Sequence, residues 1–222
     1  MSRIPGAALG SLFEDLPAKT IEPLADGAVI LRGCAAEEAP AIMEAIHSIE
    51  KMAPFRHMVT PGGGRMSAAM TNCGARGWVT DRKGYRYAAE DPVTGKPWAA
   101  MPALFLDLAD RAAAAAGFPG FVPDGCLINR YEPGARMGLH QDKDEKDRTA
   151  PIVSVSLGLP VTFLFGGATR RDKPAKYTLS HGDVAVWGGP ARFTYHGIAP
   201  LEDGEHPLTG RYRFNLTLRK AL

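Results

Sequence analysis

A marked charge imbalance, a paired cysteine framework and a long apolar run are all missing from this sequence. Its 222 residues carry a formal net charge of +2, too small for bulk electrostatics to signal nucleic-acid binding, so phosphate contacts would have to come from a local patch. The three cysteines, Cys34, Cys73 and Cys126, are odd in number and lack CxxC spacing, which speaks against a disulfide framework and a zinc knuckle alike. They read as small buried or incidental thiols. No apolar run approaches the roughly 18 residues of a membrane helix, and Pro5 and Gly6 interrupt the N-terminal stretch that a secretory signal would keep apolar. The expectation is a cytoplasmic protein without membrane association. No internal repeat is visible. Thr60-Pro61-Gly62-Gly63-Gly64-Arg65 is glycine-rich but lacks the lysine and hydroxyl of a phosphate loop, and reads as a turn or flexible loop.

What is present fits one domain. Hydrophobic content of 45% and charged content of 23% are ordinary for a globular chain, and the length suffices for one well-buried core in a monomer. Within a single domain spanning 1–222, three regions are expected: an arm of small residues and prolines over about 1–20, an extension over about 21–118, and a β-rich core over about 119–222. Ala28–Leu31 reads as a strand and Glu37–Met52 as a helix with Ile42, Ile46 and Ile49 on one face. A second helix follows from the spacing of Met101, Phe105, Leu108 and Ala112, with Pro102 in its first turn and Gly117 and Pro119 as its stop. Beyond residue 120 the runs Cys126–Tyr131, Ile152–Leu157, Val161–Phe165, Lys176–Leu179, Val184–Trp187, Phe193–Ile198 and Tyr212–Arg219 predict strands separated by glycine, proline and aspartate. The fold class is α+β, mainly β: a jelly-roll or cupin-like core, also called a double-stranded β-helix, behind a helix-containing N-terminal region.

The chemistry concentrates in the β-rich half. His140 and Asp142, in Leu139-His140-Gln141-Asp142, and His196 have the types and spacing of a two-histidine, one-carboxylate centre for non-haem Fe(II). Such a set occupies one octahedral face and leaves neighbouring positions for O2 and a chelating co-substrate. His140 and Asp142 are expected in a glycine-flanked turn before a strand, and His196 inside a late strand. His47 falls in a predicted helix and His57 and His206 in polar loops, while His181-Gly182-Asp183 repeats the His-x-Asp pattern but reads as a tight turn entering a buried strand. In the last strand Arg213, Asn215, Thr217 and Arg219 alternate with Phe214, Leu216 and Leu218. Either that polar face meets water or its arginines offer a two-pronged donor to a carboxylate. Asn129 and Tyr131 share a face and could join the same ligand. Six basic residues against three acidic ones lie between Arg65 and Lys96, interleaved with Trp78, Tyr85, Tyr87 and Trp98. That region is the candidate local patch.

Several segments carry a family resemblance. Asn129-Arg130-Tyr131, Leu139-His140-Gln141-Asp142-Lys143-Asp144-Glu145 and Ile152-Val153-Ser154-Val155-Ser156-Leu157-Gly158 resemble the AlkB family of Fe(II)- and 2-oxoglutarate-dependent dioxygenases. Thr60-Pro61-Gly62-Gly63, Met70-Thr71-Asn72-Cys73-Gly74, Gly77-Trp78, Gly182-Asp183-Val184 and Tyr212 through Arg219 extend the likeness to its bacterial DNA-repair members, over about residues 21–220. The resemblance implies iron on His140, Asp142 and His196, and 2-oxoglutarate on Asn129, Tyr131, Arg213, Asn215 and Arg219, with Arg213 on the distal carboxylate and Arg219 nearer the iron. It implies decarboxylation of 2-oxoglutarate to succinate and CO2, with an N-methyl group of a base released as formaldehyde. It further implies a nucleotide-recognition lid in which Trp78 stacks on a base and Tyr85 contacts the backbone, while Asp144 and Arg170 line the base pocket. The partner would be alkylated single-stranded or double-stranded DNA, with RNA as a further class. A glycine-rich loop at Gly62–Gly64, Val79 after the tryptophan and the extra charge of Arg211 depart from the usual pattern. The rival readings are an oxygenase acting on a non-nucleic-acid substrate and a cupin-like metal-binding module.

Overall fold

The alternation in the last strand sets the layering, because all seven residues of Arg213–Arg219 are buried. Phe214, Leu216 and Leu218 join the apolar cluster formed with both helices. The polar set therefore points the other way, into the space between two sheets. The face that could have met water is an interior wall.

The computed structural model describes residues 20–222, so the N-terminal arm lies outside the described residues except for its last position. In chain order the elements are β1 (Ile21–Ala25), β2 (Ala28–Leu31), α1 (Ala39–Met52), β3 (Ala69–Gly74), β4 (Gly77–Asp81), β5 (Gly84–Ala88), α2 (Ala103–Ala115), β6 (Gly125–Tyr131), β7 (Met137–His140), β8 (Ile152–Gly158), β9 (Val161–Phe165), β10 (Ala175–Leu179), β11 (Val184–Trp187), β12 (His196–Ile198) and β13 (Arg213–Arg219). A major sheet runs β1-β2-β11-β8-β13-β6-β3, a minor sheet β10-β9-β12-β7, and β4 and β5 form a separate hairpin. All pairings within these sheets are antiparallel. This is the jelly-roll arrangement the strand pattern predicts.

The helices cover the outer face of the major sheet. On α1 the buried side chains are Ala39, Ile42, Met43, Ile46 and Ile49, and on α2 they are Phe105, Leu108, Ala109, Ala112 and Ala113. Both sets meet Val153, Val155, Leu157, Val184, Val186 and the apolar face of β13. Each large side chain buried in this way contributes roughly 1.5 to 3 kcal/mol relative to exposure. A second cluster, including Ile30, Ile152, Phe163, Phe165 and Trp187, fills part of the space between the sheets.

Several expectations change. The core does not begin at about residue 119, since β1, β2 and β3 complete the major sheet from earlier in the chain. His140 closes a short strand, β7, where a turn is expected, and the strand expected over Phe193–Ile198 is confined to β12. Its first half is displaced by a single 3-10 turn, Gly189–Ala191, after which Thr194 N–H is bonded to the Ala191 carbonyl. Pro102 stands just outside α2 with an extended ψ of 140°, as its cap.

Candidate metal centre and substrate cavity

A strand brings side chains two residues apart to one face, so a His-x-Asp on extended chain presents both groups together, as a helix would not. β7 ends at His140, and its register with β12 sets His140 directly opposite His196. The two rings are 4.4 Å apart between centroids. Asp142 follows just past the strand end, with Oδ1 3.7 Å from His140 Nε2 and Oδ2 3.8 Å from His196 Nε2. Bonds of about 2.1 Å to one ion would span such separations. Among the described residues these three form the one His, Cys, Asp and Glu set whose ligand atoms converge, all within 4.8 Å.

The surroundings prepare each group. His140 Nδ1 lies 2.9 Å from the Gly138 carbonyl and His196 Nδ1 3.0 Å from that of Thr194, so Nδ1–H donates and Nε2 keeps its lone pair for a metal. Burial, and then the neighbouring His140, pull the His196 imidazole down to about 4, which keeps it neutral near pH 7. Burial by itself would raise the Asp142 carboxyl, but Arg219 with the two histidines and Arg192 holds it well below the usual carboxylate range. Arg219 Nη2 donates to Asp142 Oδ1 at 2.9 Å. The other oxygen, Oδ2, is buried and has no hydrogen-bond partner among the described residues. An ionised oxygen left in that condition fits a cation.

The interior wall of β13 supplies a second unmet demand. Arg213 is 1% exposed, and its Nη2 donates to Ser156 Oγ at 2.9 Å. Its Nε and Nη1 have no hydrogen-bond partner among the described residues. The guanidinium lies over the Tyr131 ring, 5.2 Å from its centroid. Burial lowers the Arg213 pKa, and Tyr131 offsets only part of that. A buried cation with two free donors fits a carboxylate. Nearby, Asn129 Nδ2 donates to Asn215 Oδ1, and Asn215 Nδ2 to Ser154 Oγ, while Asn129 Oδ1 is unpaired among the described residues.

A cavity of about 580 Å³ joins these parts, with the metal-ligand residues, Asn129, Tyr131, Asn215 and Arg219 among its walls. At its mouth stand Trp78, Tyr85, Asp144 and Arg170. Trp78 stacks on Tyr85 at 5.6 Å and 20° between ring planes, and its Nε1–H donates to Asp144 Oδ2 at 2.8 Å. Tyr85 is half exposed and Arg170 exposed, whereas Trp78 is partly buried against the inner core cluster. All twelve side chains singled out from sequence thus surround or adjoin one cavity.

The competing His-x-Asp is occupied otherwise. His181 Nδ1 accepts from Gly158 N–H at 3.0 Å and its ring stacks on His206, while Asp183 receives Arg32 and the Gly33 N–H. Sequence reasoning missed Ser154 and Ser156, whose alternation with Val153, Val155 and Leu157 marks a polar inner face. It named Tyr87 only within the basic, aromatic stretch and Glu145 only within a family motif, without a role for either, and it missed Arg192. Glu145 stands in the charged run Asp142-Lys143-Asp144-Glu145-Lys146-Asp147, yet it is 3% exposed.

Comparison with known proteins adds the family. Residues 27–219 match the 2OG-Fe(II) oxygenase superfamily. Two curated relatives are similar over 200 residues, covering 90% of this chain and 93% of each relative: the alpha-ketoglutarate-dependent dioxygenase AlkB of Escherichia coli at 60% identity and that of Salmonella typhimurium at 58%. The solved structure of OsALKBH1 superposes with a TM-score of 0.81 at 28% identity, covering 90% of this chain and all of that one. The chain belongs to the 2OG-Fe(II) oxygenase superfamily and, within it, to the AlkB family of alpha-ketoglutarate-dependent dioxygenases.

Proposed function

We propose that this chain is an Fe(II)- and 2-oxoglutarate-dependent oxygenase that removes N-alkyl groups from bases such as 1-methyladenine and 3-methylcytosine in DNA, reversing alkylation damage directly. The observation that carries the reading is a pair of unmet charges, Asp142 Oδ2 on the cavity wall and the Arg213 guanidinium behind the lining residue Tyr131, with an aromatic hairpin at the mouth. Fe(II) with 2-oxoglutarate and O2 supplies the oxidation, in which 2-oxoglutarate becomes succinate and CO2 and the methyl carbon leaves as formaldehyde.

The chain's own residues bind and orient. His140 and His196 present Nε2 because their Nδ1–H groups are fixed on carbonyls, and Asp142 offers the oxygen that Arg219 leaves free. Arg213 takes a carboxylate of 2-oxoglutarate, with Asn129, Tyr131, Asn215 and Arg219 around the co-substrate. Arg213 is enclosed by Ser156 and Tyr131, so that ion pair would form away from water. Trp78 receives a base that has left its stack, Tyr85 contacts the nucleic-acid backbone, and Asp144 accepts from the base's exocyclic amino group. Asp144 now holds the Trp78 indole, so an incoming base competes for that oxygen. A methylated base carries positive charge, which favours it beside a carboxylate. Arg170 lines the base pocket, and Arg82 and Lys83 at the hairpin turn offer charge to the phosphates. We assign alkylated single-stranded or double-stranded DNA as the substrate, with RNA as a further class, and a cytoplasmic monomer as the acting species.

The test is release of formaldehyde and succinate with Fe(II), ascorbate, O2 and 2-oxoglutarate, comparing a single-stranded 1-methyladenine oligonucleotide with its unmethylated twin. Both products are expected only with the methylated strand, and neither with His140→Ala. Succinate without formaldehyde from any oligonucleotide would reject the substrate, and neither product from iron-loaded protein would favour a binding module.

A further inference from the structure

The hairpin and the carboxylate ligand are joined by a buried polar ring whose members lie outside the assigned metal, co-substrate and base contacts, except for Arg219 and Asp142. Tyr87 on β5 donates its hydroxyl to Glu145 Oε1 at 2.6 Å. Glu145 Oε2 receives Arg192 Nη2 at 3.1 Å, and Arg192 Nη1 donates to the main-chain carbonyl of Asp142 at 2.6 Å. Arg219 closes the ring: it bonds Asp142 Oδ1, lies with Nε 3.5 Å from Glu145 Oε1, and reaches the Tyr87 hydroxyl at 3.5 Å. Two carboxylates and two guanidiniums balance, and all four side chains are 7% exposed or less. Arg192 also lies four residues before His196, so it ties two ligand-bearing segments together.

The hairpin holds this segment at a second point. Trp78 and Tyr87 are direct cross-strand partners, and they reach Asp144 and Glu145, the second and third residues after Asp142. A base that takes Asp144 from Trp78 therefore releases one of two adjacent hairpin contacts and leaves the load on Tyr87. We propose that Tyr87, acting through Glu145, is a positioning residue that couples the hairpin to the orientation of Asp142, so that nucleic-acid binding at the mouth alters metal binding at the floor. Linkage makes the coupling reciprocal: metal binding changes oligonucleotide affinity by the same factor. The inference rests on the metal and substrate reading given above.

The experiment titrates Co(II), with its visible spectrum as the second readout, into the full chain with and without a single-stranded 1-methyladenine oligonucleotide. In the unaltered chain the oligonucleotide is expected to change Co(II) affinity by about fivefold or more and to shift the spectrum. Tyr87→Phe, which removes one hydroxyl, should reduce that change to less than about twofold. Glu145→Gln should weaken Co(II) binding by about tenfold, and adding Tyr87→Phe to it should cost less than the product of the separate losses. Val79→Ala, a buried hairpin change outside the ring, controls for general loosening. An undiminished oligonucleotide effect in Tyr87→Phe, fully multiplicative losses, or the same loss of coupling in Val79→Ala would overturn the proposal. If Glu145→Gln does not fold, the coupling lost or kept in Tyr87→Phe decides alone. Unaltered protein that binds no Co(II) would overturn the metal reading as well, whereas unaltered protein that binds it without responding to a bound oligonucleotide would overturn the coupling only.

Discussion

At the residue scale, Arg213, the proposed partner of a carboxylate, sets stability against function. A guanidinium 1% exposed, with Nε and Nη1 unpaired among the described residues, costs the folded state roughly 1 to 3 kcal/mol or more until an anion meets it. Arg213→Leu should therefore melt no lower than the unaltered chain without 2-oxoglutarate, yet lose the rise in melting temperature that 2-oxoglutarate gives. A lower melting point with the 2-oxoglutarate response intact would show that the guanidinium serves packing. Single residues also differ in how far sequence betrays them. His140 and Asp142 are legible because strand period puts a His-x-Asp on one face, and Arg213 because it alternates with large apolar neighbours. Arg192 and Glu145 look like any surface charges, since what buries them is tertiary: one lies just before β12, the other three residues after Asp142 against the hairpin residue Tyr87.

At the element scale, β7 and β12 are short, and their register carries the ligand geometry. A Cβ on Gly197 would stand 2.7 Å from the Met137 carbonyl oxygen, which is backbone and cannot swing away. Gly197→Ala should push β12 from β7, separate His196 from His140, weaken metal binding and destabilise the chain by about 1 to 3 kcal/mol. Unchanged metal affinity would show that the ligand loops, not the strand pair, set the spacing. The hairpin gives a second prediction: Trp78→Ala should weaken binding of a methylated oligonucleotide by roughly 1 to 3 kcal/mol if the indole stacks on the base. Lost stability with intact affinity would return Trp78 to the core. Branched and aromatic runs made β8, β9, β11 and β13 readable. β3, with the sequence AMTNCG, and β7, with MGLH, have little strand propensity and exist through their partners, β6 and β12.

On the scale of the whole molecule, the helices matter because they close the outer face of the major sheet and leave its inner face free for polar work. The jelly roll was legible from the spacing of its later strands. Its N-terminal boundary was not, because β1 and β2 at one end of the major sheet and β3 at the other come from sequence that composition alone assigns to an extension. Since the proposed metal ligands lie on the minor sheet and its following loop, and Arg213 on the major sheet, metal and co-substrate together should clamp the two sheets. Mn(II) at about 100 times its Kd should stabilise the chain by about 2.7 kcal/mol. At roughly 2 to 4 °C per kcal/mol, its melting temperature should rise by about 5 to 10 °C. 2-Oxoglutarate should raise it further with Mn(II) than without, because the co-substrate then gains a second anchor beside Arg213. Calorimetry with each ligand alone, both together, and both after EDTA measures this directly. Equal 2-oxoglutarate shifts with and without Mn(II) would place the whole co-substrate interaction on the major sheet and uncouple the two halves of the cavity.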